Sequence, residues 1–529
     1  MNLSGLLAVT TFATPHVNYV AILPELILIG GALVLLVCGQ LVFTKVSTAF
    51  YSVSSAAVAT ASLVASLVLW HDVQARGPFS AIADSVAVDG FSIVFLVLVS
   101  CVLIIGAAVA NDFLTREQIE GPEYHVLALL AGSGAMLMAA ANDLILIFVA
   151  LEIMSIPLYV LAGMDLRRRE SGEAAMKYFV LGAFSSAIFV YGIALVYGAT
   201  GSTNLPQIAG YLATNIVTSN GVLLAGLGLL LVGFGFKISA VPFHMWTPDV
   251  YQGSPTPVTG FMTAIAKAGG FAALLRVFFS TFGTLRTDWQ PLLWVLAILT
   301  LVLGAVLGLV QRDVKRMLAY SSINHAGFIL VGLAAATSNG ISGSVYYVFV
   351  YALIVMGSFA VITLVGGRGD RQHDLASYRG LARRQPALAL AFSVLLLAQT
   401  GVPFTTGFLA KFYVISAAVK AHSYALAIIA MLSAAIAAAF YLRVVFLMYG
   451  VRLPAGARDD RGSVSLPVTG DFGDELEPAG SPPGSFNLGP VVVPAPSAVA
   501  IFVTVAVTVV FGIWPAPLVE FVKAAGFLF

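Results

Sequence analysis

Charge is what this sequence has least of. Aspartate, glutamate, lysine and arginine make up 10% of its 529 residues, against roughly 25% in an ordinary soluble domain. So few charges cannot cover a water-facing surface, which excludes a soluble globular chain. Cysteine is almost missing: Cys38 and Cys101 lie far apart, each inside an apolar run, with no C-x-x-C or His-Cys ligand spacing. A disulfide framework, a zinc site and an iron-sulfur cluster therefore have no support. No G-x-G-x-x-G follows a strand pattern and no Walker loop occurs, so no dinucleotide or ATP site is expected. Cofactor, metal and nucleic-acid sites are accordingly not expected in this chain. MNLSGLLAVTTFATPHVNYV has no basic stretch before its apolar residues, so no cleaved signal peptide is expected, and the first spanning helix should begin near Val20.

What the sequence has instead is apolar length. Hydrophobic residues reach 59%, in continuous runs of the roughly 20 residues that a helix needs to cross a hydrocarbon core. The runs do not alternate, and backbone polar groups must be satisfied inside a bilayer, so the fold class is an all-α polytopic membrane protein rather than a barrel. Fourteen spans are predicted, at 20–43, 50–70, 91–110, 123–140, 144–163, 174–200, 221–244, 257–281, 291–310, 316–335, 342–366, 386–420, 424–449 and 495–514. The twelfth is too long for one straight helix. With the N-terminus outside, sixteen loop lysines and arginines fall on the cytoplasmic side and four on the other. That positive-inside bias puts both termini on the periplasmic or outer side of the cell membrane. The connection at 453–494, rich in Pro, Gly and acidic residues, reads as a flexible cytoplasmic loop, with a docking segment as the alternative.

Two spans are interrupted by nearly the same word, AVPF at 240–243 and GVPF at 401–404. They lie in the seventh and twelfth spans, which cross in opposite directions. Broken helices five spans apart suggest two inverted five-helix repeats, spans four to eight and nine to thirteen, as in many transporters. The expected organisation is N-terminal helices 1–3 over 1–120, a first repeat over 121–283, a second over 284–450, the loop 451–494 and a last helix in 495–529. Proline also kinks membrane helices without further meaning. Here Pro242 lacks an N–H for the carbonyl of Ile238, as Pro403 does for Gln399. Broken backbone at that depth survives only when buried in protein or lining a wet cavity.

Six cations do not belong to loops: Lys177, Lys237, Lys267, Lys411, Arg276 and Arg443. Each charge near a helix centre costs about 2.5–3.5 kcal/mol on the insertion scale. Glu152 lies nine residues beyond Asp143, about 13 Å deep at 1.5 Å per residue. It is a functional acid or, more plainly, one hydrogen-bonded to a neighbouring helix. Lys267 is at least ten residues from either end of its span, among Ala264, Ala266, Ala268, Gly269 and Gly270, small residues that admit another helix. Lys411 and Lys237 sit beside the two proline breaks. For Lys177, snorkelling to the interface stands level with a role, and for Arg276 and Arg443 it is preferred. Lysine and glutamate can exchange protons whereas arginine does not, so the pattern suits proton passage, with His244 and His325 as relays or ordinary hydrogen-bonded histidines.

The motifs PFHMWTPDVYQGSPTPVTGF at 242–261, AYSSINHAGF at 319–328 and TGVPFTTGFLAKF at 400–412 resemble the antiporter-like membrane subunits of NADH:quinone oxidoreductase, respiratory complex I, which are related to Mrp-type antiporters. PDVYQGSPTPVT and KYFVLGAFSSAIFVYG at 177–192 look like the N-type member, the counterpart of mitochondrial NADH dehydrogenase chain 2, and Lys411 is the N-type choice where M-type subunits carry glutamate. The resemblance covers roughly 120–450; the loop at 453–494 looks longer than usual. It implies a translocase subunit without a redox site, with NADH, FMN, iron-sulfur clusters and quinone held by partner subunits. M-type and small K-type membrane subunits are its implied neighbours. It also implies that Glu152 and Lys177 form a coupling pair, that Lys237 and Lys267 continue the path, that Lys411 faces the exit, and that His244 and His325 lie near the hydrated axis. A stand-alone cation/proton antiporter and a membrane scaffold with a vestigial channel are the competing readings.

Overall fold

In the computed structural model of the chain, residues 17–41, 46–215, 221–450 and 491–526 are described. Residues 1–16 of the N-terminal stretch read for a signal peptide, Lys45, and most of the acidic connection read as a loop lie outside them. Helices dominate. In chain order they are α1 (Leu23–Leu41), α2 (Thr48–Arg76), α3 (Gly90–Glu117), α4 (Glu123–Ala140), α5 (Leu144–Ala162), α6 (Arg169–Thr200), the short α7 (Leu205–Thr214), α8 (Gly221–Ile238), the short α9 (Trp246–Gly253) and α10 (Thr256–Leu275). Then follow α11 (Arg286–Leu309), α12 (Val314–Ala334), α13 (Ser338–Val365), one turn of α14 (Leu381–Arg384), α15 (Pro386–Thr400), α16 (Thr406–Lys420), α17 (Tyr424–Tyr449), α18 (Ala495–Ile513) and α19 (Ala516–Lys523). Among the described residues thirteen helices are long and apolar enough to cross a membrane. The interrupted pair α15 and α16 occupies the place of the predicted twelfth span.

Helix ends follow local chemistry. Asp89, Asp143, Asp313, Thr337 and Thr405 accept from the first free backbone N–H groups of α3, α5, α12, α13 and α16, the standard role of such side chains at an N-cap. A hairpin of Phe79–Ala81 and Val86–Val88, not foreseen from the sequence, joins α2 to α3. Its turn is tight: Ile82, Ala83 and Asp84 all have positive φ. The packing has a clear centre. The apolar windows of α10 and α13 are wholly buried and that of α12 nearly so, whereas α1, α6 and α18 leave most of theirs on the surface. Apolar side chains face outward there because the surrounding solvent is lipid.

The seventh span ends earlier than predicted. α8 stops at Ile238 rather than running on to His244, and the chain turns through Ser239, at φ 62°, into α9. Three bonds lock the break: Val241 N–H to Thr300 Oγ1 at 3.0 Å, Thr247 Oγ1 to Ser239 Oγ at 2.9 Å and Trp246 Nε1 to the Phe236 carbonyl at 3.0 Å. The twelfth span breaks after Thr400, where Gly401 at φ 91° donates to the carbonyls of Leu397 and Ala398. A residue with a Cβ would be strained at that φ and would meet Lys411 Cδ at 3.0 Å.

Candidate functional site

The free carbonyls at the two breaks do not wait for water alone. Lys267, on α10, donates to the Ile238 carbonyl at the end of α8. Lys411, on α16, donates at 2.8 Å to the Thr400 carbonyl at the end of α15. In the second break the exposed acceptor is Thr400 rather than the Gln399 that proline geometry suggested, because the helix finishes in the turn at Gly401. Each lysine sits where the partial negative charge of a helix C-terminus favours a cation. Gly270 lets α10 come this close: a Cβ there would lie 2.9 Å from Ile238 Cγ2.

Lys237 occupies the last turn of α8 and points into the bundle. Its ammonium donates to Ser155 Oγ on α5 at 2.8 Å and to Tyr178 Oη on α6 at 3.4 Å, with the Tyr159 and Tyr178 rings 5.8 Å and 5.6 Å away. Tyr178 stacks on Trp246, the first residue of α9, at 4.4 Å. Lys237, Lys267 and Lys411 are 2%, 1% and 6% exposed, and among the described residues no carboxylate lies within 4.0 Å of any of the three. Hydroxyls, ring faces and carbonyls hold these cations. Glu152, one turn before Ser155, accepts from Ser186 of α6 and is within electrostatic reach of Lys237.

His325 stands between Lys267 and Lys411, close enough to feel both charges. Its Nδ1 meets Tyr347 Oη at 2.7 Å and its Nε2 meets Tyr441 Oη at 3.1 Å. Tyr441 also bonds Ser321, whose hydroxyl donates to Gln399 Oε1 at 3.2 Å. Gln399 is the neighbour of Thr400, so this chain ends one residue from the carbonyl that Lys411 holds. On the Lys267 side, Tyr251 meets Ser322 at 3.4 Å, and Tyr351 packs on the His325 ring at 4.5 Å. The structure thus brings buried Lys237, Lys267, His325 and Lys411 onto one polar line through the middle of the bundle, with half-buried Glu152 at its Lys237 end.

Two expected members lie elsewhere. His244 falls in the break itself, half-buried, with its Nδ1 unpartnered and its neighbours Pro242 and Met245 exposed on the flank. Lys177 does not pair with Glu152 here: its ammonium, on a side chain 42% exposed, binds Glu173 Oε1 at 2.8 Å and Asp249 Oδ2 at 3.0 Å. The snorkelling expected of Arg276 is corrected outright. Its guanidinium is fully buried, paired with both oxygens of Asp89 at 2.8 and 2.9 Å and donating to the Ala139 carbonyl. Arg443 caps the end of α11 through the carbonyls of Leu309 and Gln311.

Beside Lys177 opens a cavity of about 840 Å³ at one end of the bundle, lined in part by Arg167, Arg169, Asp249, Asp313 and Asp370. Asp370, fully buried, takes Arg168 at 2.9 Å, Lys315 at 3.6 Å, His373 at 3.1 Å and the Thr256 N–H and hydroxyl at 3.0 and 2.7 Å. Burial works against its ionisation, but the Lys315 charge and the His373 and Thr256 contacts prevail and hold the carboxyl well below the usual carboxylate range. Lys315, counted with the loop cations from sequence, is wholly buried in this cluster. Sequence reasoning missed Ser155, Tyr178, Asp249, Ser321 and Tyr441, and of Gln399 it foresaw only the carbonyl and not the side chain that meets Ser321. Asp249 and Ser321 stand inside quoted motifs, so a signal was present for them; Tyr441 is an ordinary aromatic in an apolar run.

Residues 141–437 match the family described as "NADH:quinone oxidoreductase/Mrp antiporter, TM". The chain is 47% identical over 370 residues to the NADH-quinone oxidoreductase subunit N of Trichlorobacter lovleyi, covering 70% of this chain and 76% of that one. To the subunit N of Parafrankia it is 43% identical over 457 residues, 82% of this chain and 86% of the relative. Among solved structures it is similar to a chain of respiratory complex I from Thermus thermophilus with bound aureothin, at 31% identity and a TM-score of 0.74 over 95% of this chain and all of that one. A chain of the Mrp complex from Dietzia shares the fold, with a TM-score of 0.80 at 21% identity over 96% of each chain.

Proposed function

The chain belongs to the NADH:quinone oxidoreductase/Mrp antiporter family, and on that premise we propose that it is the N-type membrane subunit that moves protons while partner subunits carry electrons from NADH to quinone. The observation that carries this reading is the line from half-buried Glu152 through buried Lys237, Lys267 and His325 to Lys411, with a cation at each helix break and, among the described residues, no carboxylate in contact with those lysines. A cation held by dipoles alone can lose its proton without leaving a partner charge stranded, which suits transfer along the line. Small displacements that lengthen the Lys237–Ser155 or Lys411–Thr400 contact alter which group holds the proton.

FMN, iron-sulfur clusters, NADH and quinone belong on this reading to partner subunits, and M-type and small K-type membrane subunits are the neighbours. The end bearing Arg167, Arg168, Arg169 and Arg371 faces the cytoplasm, which puts both termini on the outer side of the cell membrane. The two five-helix units, 121–283 and 284–450, each supply one broken helix, with residues 1–120 and 495–529 flanking them. The subunit reading is favoured over a stand-alone antiporter because the sequence relatives at 43–47% identity carry the subunit name, while the Mrp likeness at 21% speaks to fold alone.

The test is Lys237→Ala in the assembled complex reconstituted into liposomes. Coupled NADH:quinone turnover and proton uptake should fall by at least about tenfold, equivalent to 1.4 kcal/mol. An intact complex that pumps at the parental rate would refute the assignment.

A further inference from the structure

We infer that the pocket between the start of α13 and the ends of α16 and α19 binds the phosphate of an anionic phospholipid, whose acyl chain lies along an apolar ridge of α16. The site is separate from the line of buried lysines and stands whether or not that line carries protons. Only the leaflet, the outer one, follows from the orientation proposed above.

The pocket measures about 200 Å³ and lies at the end of the bundle opposite the arginine cluster. Asn339, Ser342 and Tyr346 of α13, Ser416 and Lys420 of α16 and Lys523 of α19 supply its polar lining, and among the described residues no acidic side chain lines it. Lys420 and Lys523 are each the last residue of a helix. A lysine there has a plain explanation, since it answers the free carbonyls and the dipole of its own helix. That explanation does not account for two such ends converging on one pocket with no carboxylate within 4.0 Å of either ammonium among the described residues. Nor does it account for Tyr346. That residue is 2% exposed, its ring packs edge-on against Tyr413 at 5.3 Å, and its hydroxyl has no hydrogen-bond partner among the described residues. A buried hydroxyl left unanswered is unfavourable, and one that shares a pocket with two ammonium groups calls for a negatively charged acceptor.

The start of α13 adds to that field. Its first backbone N–H groups have no partner within the helix; Thr337 Oγ1 takes that of Gly340 at 3.1 Å, and the positive end of the helix dipole favours an anion. A phosphodiester spreads its charge over oxygens that point in different directions, which suits two ammonium groups on different helices with hydroxyls between them.

What is attached to that phosphate follows from the surface beside it. Phe408, Phe412 and Val419 are exposed on one face of α16, Phe412 also lines the pocket, and Phe408 stacks on Phe412 at 6.3 Å. The eleven positions from Phe408 to Val419 cover about 16 Å at 1.5 Å each, so the ridge runs from the pocket toward the helix break. A free anion makes no use of such a ridge, whereas an acyl chain packs along it. A phospholipid seated there joins α13, α16 and α19 at their outer ends, on the same helix as Lys411.

The experiment places the assembled complex in liposomes containing phosphatidylglycerol with a photoreactive acyl chain, verifies assembly on native gels and maps the adducts by mass spectrometry. The parent should be labelled between Phe408 and Val419. In the Lys420→Gln/Lys523→Gln double variant that labelling should fall by at least about tenfold, because each basic residue at a membrane surface strengthens binding of anionic lipid severalfold, while labelling elsewhere on the complex is unchanged. Tyr346→Phe should lower it by about fivefold. Should the double variant fail to assemble, Lys420→Gln and Tyr346→Phe alone carry the test. Excess unlabelled phosphatidylglycerol should compete; inorganic phosphate should not. A parent without adducts on this segment, as when a partner subunit covers it, overturns the inference, and so does labelling that survives in the variants. Competition by inorganic phosphate as strong as that by phosphatidylglycerol makes the pocket a free-anion site and overturns the lipid assignment. Photoreactive phosphatidylcholine that labels the segment as well as phosphatidylglycerol removes the role given to the two lysines and overturns it too.

Discussion

The middle of the bundle and its arginine-rich end hold their cations by opposite means. At the end, each cluster is built around a carboxylate: Asp370 serves Arg168, Lys315 and His373, and Asp249 serves Lys177 and Arg316. In the middle, Lys237, Lys267 and Lys411 have a serine, a tyrosine and two helix-end carbonyls. A matched pair locks charge, because removing either partner strands the other in a low dielectric. A cation on dipoles leaves nothing stranded when it becomes neutral. The contrast separates residues that hold the helices together from residues free to change protonation, and it predicts that stability and transport respond to different substitutions.

The largest stability effect should come from the matched cluster. Asp370→Asn strands Arg168 and Lys315 and is expected to destabilise the chain by about 3–5 kcal/mol, read as a lowered Tm of the detergent-solubilised complex. The pH dependence has a definite sign. The carboxyl of Asp370 is depressed in the folded state, so its stabilisation is fully present above the ordinary carboxylate pKa and is lost as pH falls through the lower folded value. The Tm gap between parent and Asp370→Asn should therefore be widest above about pH 5 and narrow below about pH 4.

Neutralising a central lysine should do the reverse. Lys267→Gln or Lys411→Gln is expected to leave Tm unchanged or slightly raised while coupled pumping drops about a hundredfold, near 2.7 kcal/mol. A Tm loss as large as that of Asp370→Asn would break the comparison. Ser155→Ala removes the closest acceptor of Lys237 and should cost about 1.5–2 kcal/mol of charge-assisted hydrogen bonding, seen as a roughly tenfold slower pumping step. The smallest effect belongs to the connecting chain: Tyr441→Phe unlinks His325 from Ser321 and should slow pumping by about fivefold, near 1 kcal/mol, with assembly intact.

Much of this was legible in the sequence, and the reason is local. Crossing a bilayer imposes a length and an apolarity that residues satisfy one helix at a time, so the fourteen predicted spans coincide with thirteen helices and the α15–α16 pair. AVPF and GVPF marked the breaks because proline acts on its own helix. The cost of Lys237, Lys267 and Lys411 in lipid marked them as meaningful before any neighbour was known. Arg276 was misread because its partner Asp89 is 187 residues away, and distance from a helix end says nothing about a second helix packed alongside. Lys315 was counted with the loop cations for the same reason.

By itself, then, the sequence determined the membrane-crossing helices, where two of them break and which charges are too costly to be idle, since each depends on the chain's immediate chemistry and on the solvent around it. The tertiary structure alone decided which group answers each charge. Lys267 meets the carbonyl of Ile238, 29 residues earlier, Ser155 receives Lys237 from 82 residues away, and Asp249 rather than Glu152 holds Lys177. Those pairings are set by how helices approach through small residues and bent backbone, a property of the packed bundle that no single segment contains.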